Sequence, residues 1–275
     1  MYMKLVDIEA GATTTPRYGG DFSLAISSDV LALQLAHRSV RQFGPEDVPE
    51  EQVRALVAAA QSAPTSSNLQ AWSVIVVRDP ERKARLARLA GRQPFVRQAP
   101  VLLVWVADLS RARRVATRHG AAVEATSYLE TTLIGFIDAA LAAQNAVVAA
   151  ESLGLGSTFV GALRNQPREV AAELGLPPGA IAAFGLAVGV PDPSEEAGIK
   201  PRLPQAAVVH HETYDADAAD AHLPAYDDHL QTYYRQHGLE GAWTDRILKR
   251  LEGPSSMAGR HEMRAILEDL GLPSR

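Results

Sequence analysis

The chain has 275 residues, 47% of them hydrophobic and 21% charged, the balance of a folded globular protein long enough for one or two domains. Against 32 Asp and Glu stand 27 Lys and Arg, a net charge of -5, so no overall positive field exists to hold a nucleic-acid backbone or an anionic membrane. Cysteine is absent, which removes disulfides, iron–sulfur clusters, thiolate zinc sites and thiol nucleophiles, and leaves any redox chemistry to a bound organic group.

The first twenty residues carry Asp7 and Glu9 where a secretory signal needs an apolar block, and they lack the Arg-rich pattern of a transit peptide. A cytoplasmic protein is expected. Residues 1–28, with their Gly, Thr and Pro, are expected to form a loosely ordered extension, docking onto a partner subunit being the alternative. Asp29 is then expected to cap a short helix. In PEEQVRALVAAAQSA, Pro49 suits a first helical turn, Glu50 and Glu51 favour its positive end, and Val53, Leu56, Val57 and Ala60 form one stripe. This predicts an amphipathic helix ended by Pro64. Trp72–Val77 and residues 101–107 read as buried strands on either side of a charged helix over 80–91.

Residues 125–153 predict one long helix that is apolar on nearly every face between Ile134 and Ala150, apart from Asp138, Gln144 and Asn145. Such a helix must be buried all round, either within one subunit or at a symmetric dimer interface, where its alanines permit close approach. A Gly-punctuated strand and turn follow, then a helix opened by Pro167, an apolar strand over 181–190, a strand over 206–210, and helices near 223–236, 244–251 and 260–270. No stretch reads as membrane-spanning, since the longest uncharged apolar one, 179–190, is short of about 18 residues.

Several familiar signatures fail. The glycines at 154, 156 and 161 approach the dinucleotide fingerprint GxGxxG, but position 159 is Phe and the segment follows a helix. Neither GxxxxGK[ST] nor GxSxG occurs. His261-Glu262 opens an HExxH pattern that Ala265 breaks, and His210, His211 and Glu212 fall on the expected strand, where neighbours face opposite sides. No metal site is expected.

Three polar clusters remain. His37-Arg38-Ser39-Val40-Arg41 sets two guanidiniums and a hydroxyl just after a helix, and Arg forks pair bidentately with phosphate. Thr65 to Gln70 is a dense run of hydrogen-bonding groups before a strand, and Lys200-Pro201-Arg202 holds two cations around a stiff Pro. Taken singly, the first two read better as a solvated helix end and a helix C-terminal loop, and the third equally well as an exposed turn.

Together and in order, HRSVRQF at 37–43, APTSSNLQAWSVIVV at 63–77, GRQPFVRQAPVLLVWVAD at 91–108, FVGALRN at 159–165, GLAVGVP at 185–191 and KPRLP at 200–204 resemble the FMN-dependent nitroreductase and flavin reductase family. The likeness is to its NADPH-using branch of larger subunits and runs from about Leu35 to the C-terminus, where YDDHLQTYY and AWTDRI extend it.

The resemblance implies an α+β fold with a mostly antiparallel central sheet flanked by helices. It implies a domain over 29–275 whose C-terminal helical excursion, 212–275, reaches over the partner of a homodimer, with FMN at the subunit interface. By the family pattern His37, Arg38, Ser39, Lys200 and Arg202 would hold the ribityl phosphate, and Arg41 would sit near the pyrimidine edge, where a cation stabilises reduced flavin. Ser66, Ser67, Asn68, Gln70 and Gln93 would hydrogen-bond the ring or ribityl chain. The turn of Phe159, Val160, Gly161 and Ala162 would aim backbone N–H groups at the reactive edge, Gly161 allowing close approach.

The activity implied is hydride transfer from NADPH or NADH through FMN to a small-molecule acceptor such as a nitroaromatic, a quinone or a flavin, by ping-pong kinetics and without metal. The alternatives are a flavin reductase that supplies reduced FMN to a monooxygenase and a flavin-binding protein without turnover. Two departures from the family pattern stand out. Ala162 occupies the place of a frequent second Gly, and His237 that of an Arg used for the 2′-phosphate of NADPH, with Arg235 and Arg260 as substitutes.

Overall fold

The structure is a computed structural model and describes residues 10–19 and 22–275, with side chains from Thr14 onward. In chain order the described residues form helices α1 (Ala10–Tyr18), α2 (Asp29–Ala36) and α3 (Glu50–Gln61), strand β1 (Trp72–Val77), helices α4 (Pro80–Leu89) and α5 (Pro94–Gln98), and strand β2 (Val101–Asp108). Helices α6 (Ser110–Arg118) and α7 (Leu129–Ser152), strand β3 (Gly156–Val160), helix α8 (Pro167–Leu174) and strand β4 (Ala180–Gly189) follow. The chain closes with helices α9 (Ala216–Asp220), α10 (Leu223–Gln236), α11 (Trp243–Leu251) and α12 (Met263–Asp269). Two compact units result, one of the described residues up to Arg38 with Glu196–Met257, the other of Ser39–Glu195 with Ala258–Arg275. This partition cuts the chain at places other than the 28/29 boundary read from composition.

The larger unit is built on one sheet of order β1-β2-β4-β3, antiparallel at every pairing. Strand β2 is buried along its whole length because helices cover both faces. Alternation sorts its side chains: Val101, Leu103 and Trp105 pack with Ala139, Ala142, Ala143, Ala146 and Val147 of α7, whereas Leu102 and Val104 pack with Leu86, Val96 and Val170 of α4, α5 and α8. Each fully buried Leu or Val contributes about 1.5–3 kcal/mol before conformational entropy is subtracted. Small residues let α7 lie close to the sheet. A Cβ added at Gly135 would stand 3.2 Å from the Ala107 Cβ and 3.3 Å from the Ala71 carbonyl oxygen.

By length and composition alone, α7 is long and apolar enough to cross a membrane, unlike the shorter unbroken stretch at 179–190. It packs here as a core helix on one side and leaves the other side bare within the single subunit, so of the two expected ways of burying it the first does not account for the whole helix. Leu129, Leu133, Ile137 and Leu141, spaced four apart, are 41%, 46%, 55% and 41% exposed. The reason is geometric: one sheet covers only the side of a helix that faces it.

In the smaller unit, Tyr226, Leu230 and Tyr234 of α10 form a core with Leu203, Tyr233 and Trp243. The extension is not loose throughout, since its residues Ala10–Tyr18 form a helix; residues 1–9, 20 and 21 lie outside the described residues. An isolated nine-residue helix is marginal in water, so tertiary contacts of α1 hold it, and sequence periodicity gave no sign of them. The strand expected over 206–210 is instead a 3-10 turn at Gln205–Ala207, closed by Ala207 and Val208 N–H groups on the Pro204 and Gln205 carbonyls at 2.9 Å. Val208 and Val209 remain 56% and 48% exposed, and β-branching without a sheet edge to join makes no strand. Helices α5 and α6 were not foreseen.

Candidate cofactor site

In the larger unit, Ser39 to Gly44 is fastened to the sheet. Ser39 bridges Ser157, the Val40 N–H donates to the Ser157 carbonyl at 2.9 Å, and Gly44 donates to Val190 at 2.9 Å. The seat depends on Gly156, where an added Cβ would lie 2.6 Å from Val40 Cγ2 and 2.9 Å from Pro191. With Val40 turned into the core, Arg41 is exposed, and its N–H donates to Glu195 Oε1 at 2.8 Å. No carboxylate pairs with the Arg41 guanidinium among the described residues.

The loop from Ser66 to Gln70 is exposed and conformationally unusual. Ser67, Asn68 and Gln70 have φ of 48°, 54° and 48°, in the left-handed region that disfavours side chains. Such a backbone persists only when its surroundings fix it. Asp138 does so from α7. Buried to 1% exposure, it accepts the Ser66 N–H at 3.1 Å and the Ala71 N–H at 3.0 Å, one on each oxygen, bracketing the loop. Arg111 of α6 secures the exit, donating to the carbonyls of Gln70 at 2.7 Å and Trp72 at 3.1 Å and to Ser73 Oγ at 2.8 Å. Asp108 accepts from Ser73 Oγ at 2.6 Å and from the Ser110 N–H at 3.0 Å. Sequence reasoning assigned none of these three supports. Asp138, one of three polar residues in the apolar stretch of its helix, carried a visible signal; Asp108 and Arg111 did not.

Gln93, half-buried, precedes the first turn of α5 without a side-chain capping bond, after Gly91 and Arg92 with φ of 73° and 59°. On β3, Phe159 is 41% exposed and meets Phe184 edge-on at 5.4 Å, whereas Val160 is buried opposite Gly185. Val160 therefore presents only backbone outward. Gly161 and Ala162 open a 3-10 turn over Gly161–Asn165, and a Cβ at Gly161 would have only the Arg164 guanidinium within 4 Å, at 3.5 Å. The backbone there is open to close approach.

In the smaller unit, His37 caps the end of α2, and Arg38 Nη1 donates to the Ala197 carbonyl at 3.1 Å. Arg202 Nη1 donates to the carbonyls of Lys200 at 3.0 Å and Pro201 at 3.2 Å. Both guanidiniums are thus held by main-chain carbonyls, with no carboxylate partner among the described residues. Helix α10 supports this loop: Tyr226 Oη donates to Pro201 at 3.3 Å, Tyr233 Oη to Gly198 at 3.2 Å, and Lys200 Nζ lies 5.4 Å from the Tyr234 ring centre. Burial pushes the Tyr226 hydroxyl above its ordinary range, which keeps it a donor. His237 packs on Tyr233, ring centres 4.4 Å apart, and Arg235 donates to Thr232 at 3.0 Å. Arg260 belongs to the larger unit, where Nε donates to Asn165 Oδ1 at 2.8 Å.

Residues 35–93 and 87–190 match the sequence profile of the Nitroreductase family, and residues 200–275 match that of the Nitroreductase family, C-terminal domain. The chain belongs to the nitroreductase family. Among its nitroreductase relatives is a Bacillus subtilis protein named FMN reductase (NAD(P)H), 40% identical over 230 residues, 82% of this chain and 92% of that protein. The solved structure of NfrA1 nitroreductase from B. subtilis superposes with a TM-score of 0.84 at 37% identity, covering 90% of this chain and all of that one. NADPH:FMN oxidoreductase from Vibrio harveyi, solved with NAD+, gives 0.79 at 34% identity, covering 90% of this chain and 99% of that one. The α+β nitroreductase fold implied by the resemblance stands, as do the oxidoreductase class and the pairing of FMN with NAD(P)H that go with the family.

The residues present suit FMN. The Arg38 and Arg202 forks, without carboxylate partners among the described residues, offer charge-assisted hydrogen bonds to a phosphate dianion, and Gly161 puts no side chain between its backbone and an approaching ring.

Proposed function

We propose that this nitroreductase-family protein takes hydride from NAD(P)H and delivers it to small acceptors, nitroaromatics, quinones or flavins, by ping-pong kinetics. Bound FMN supplies the hydride-accepting and hydride-donating chemistry. His37, Arg38, Ser39, Lys200 and Arg202 bind its phosphate. Arg41 sets a positive charge by the pyrimidine edge, where it favours the reduced, anionic form. Ser66, Ser67, Asn68, Gln70 and Gln93 fix the ring and ribityl chain by hydrogen bonds, and the backbone of Phe159, Val160, Gly161 and Ala162 orients the reactive edge. Positioning and exclusion of water carry the catalysis, with no side-chain nucleophile.

The observation that carries this reading is the donor set of Arg38 and Arg202, anchored by backbone carbonyls and without acidic partners among the described residues. Ion-paired arginines would have to give up a carboxylate before meeting a phosphate.

Two copies pair through the exposed stripe Leu129, Leu133, Ile137 and Leu141, with residues 212–275 reaching over the partner, in a cytoplasmic enzyme without nucleic-acid or membrane partners. Release of reduced FMN to a monooxygenase is the second reading, favoured by relatives named FMN reductase and NADPH-flavin oxidoreductase.

The test is the anaerobic visible spectrum of the protein with FMN, before and after NADPH and then NADH. Bleaching by either nucleotide supports turnover. Retention of the reduced flavin on gel filtration favours the acceptor-reducing enzyme, and its loss favours the flavin-supplying one. A yellow protein that neither nucleotide bleaches is a flavin binder, and failure to take up FMN overturns the assignment.

A further inference from the structure

The extension ahead of the family match ends inside the smaller unit. Arg17, in the last turn of α1, is 5% exposed. It donates to the Leu35 carbonyl through Nε at 3.2 Å and Nη2 at 2.8 Å, and to the His37 carbonyl through Nη2 at 2.7 Å. Its own carbonyl accepts the Arg202 N–H at 2.8 Å. One residue outside the matched span is thus bonded to both stretches that carry the smaller unit's proposed phosphate ligands.

Each bond has a physical task. The carbonyls at the end of a helix lack intrahelical donors, and a cation there also meets the negative end of the helix dipole. Helix α2 buries no residue, so little packing fixes the direction in which its end delivers His37 and Arg38. The forked guanidinium spans Leu35 and His37, as a lysine ammonium would not. On the other side, the bond from the Arg202 N–H fixes the backbone of a residue whose side chain folds back on Lys200 and Pro201.

We propose that Arg17 is a positioning residue for phosphate recognition: it ties the His37-Arg38 step and the Lys200-Pro201-Arg202 turn to one point and so sets the spacing of their cations. The proposal rests on the phosphate assignment made above. It gives the extension a role within its own subunit.

The test compares dissociation constants for FMN and for riboflavin, which has the same ring without phosphate, on flavin-stripped protein carrying Arg17→Ala, Arg17→Lys or Arg202→Ala. Arg17→Ala is expected to weaken FMN about tenfold, the effect of one to two hydrogen bonds, while leaving riboflavin unchanged, with partial recovery in Arg17→Lys. If Arg202→Ala weakens FMN selectively and Arg17→Ala does not, the positioning role is wrong and the phosphate assignment survives. If Arg202→Ala leaves FMN binding unchanged, the phosphate assignment itself fails. Equal losses for FMN and riboflavin in Arg17→Ala would reduce Arg17 to a general structural support and overturn the proposal. Should Arg17→Ala not fold, Arg17→Gln keeps a single donor nitrogen without charge and carries the same comparison.

Discussion

Asp138 accepts the backbone N–H of Ser66 at 3.1 Å from the middle of a largely apolar helix, while its second oxygen takes the N–H of Ala71 at 3.0 Å. The two bonds close the entrance and exit of a loop whose backbone would not keep its left-handed residues unaided. Asp138→Asn keeps the shape but turns an amide N–H toward one of these backbone donors. A loss of about 1–3 kcal/mol in unfolding free energy is expected, the cost of a buried donor left without an acceptor. Because this loop is proposed to touch ring and ribityl chain, FMN and riboflavin affinities should fall together, unlike the selective loss expected at Arg17. Wild-type affinity for both flavins would show that the loop is not held for them.

Asp108 supplies a pH dependence. Burial pushes its carboxyl up, but hydrogen bonds from Ser110 and Ser73 and the nearby Arg111 guanidinium outweigh burial and hold it below 3.8. The unfolded chain therefore binds the proton more readily than the folded one. Its contribution to stability is complete above the unfolded value, about 4, and disappears as pH falls through the lower folded value. Chemical unfolding of wild type and Asp108→Asn should differ by a constant amount from roughly pH 5 to 8 and converge below about pH 4. A gap that stays constant into strong acid would contradict this account.

The stripe on α7 predicts association. Ile137 is 55% exposed between Leu133 and Leu141, so Ile137→Glu places a charge on the proposed contact without disturbing the face that packs on the sheet. Sedimentation should show wild-type dimers and mutant monomers, the helix content being unchanged. A mutant that still sediments as a dimer would move the interface elsewhere.

Strands β1, β2 and β4 and helices α3, α4, α7 and α8 were legible because apolar periodicity and terminal Pro residues act locally. The polar clusters were legible as residues but not as geometry. The left-handed φ at Ser67, Asn68 and Gln70 is imposed by Asp138, 68 to 71 positions away in the chain, and no window of sequence contains both. Helix α1 was illegible for the same reason, its anchor being Arg17 on Leu35 and His37. Val208 and Val209 misled in the other direction, since β-propensity describes fit to a sheet and this segment has none to fit.

At the end of β3, Phe159 faces out and Val160 faces in. A substitution at Val160 has to be absorbed by the core, and its displacement passes directly to the N–H groups of the following turn. The Phe159 ring, 41% exposed, can vary in size while that backbone stays where it is, whereas the half-buried Ala162 methyl packs against the core. With this turn at the flavin edge as proposed, selection for new substrates has an adjustable position, Phe159, beside a locked one, and libraries that vary Phe159 while holding Val160 fixed should keep far more folded members than libraries that vary both.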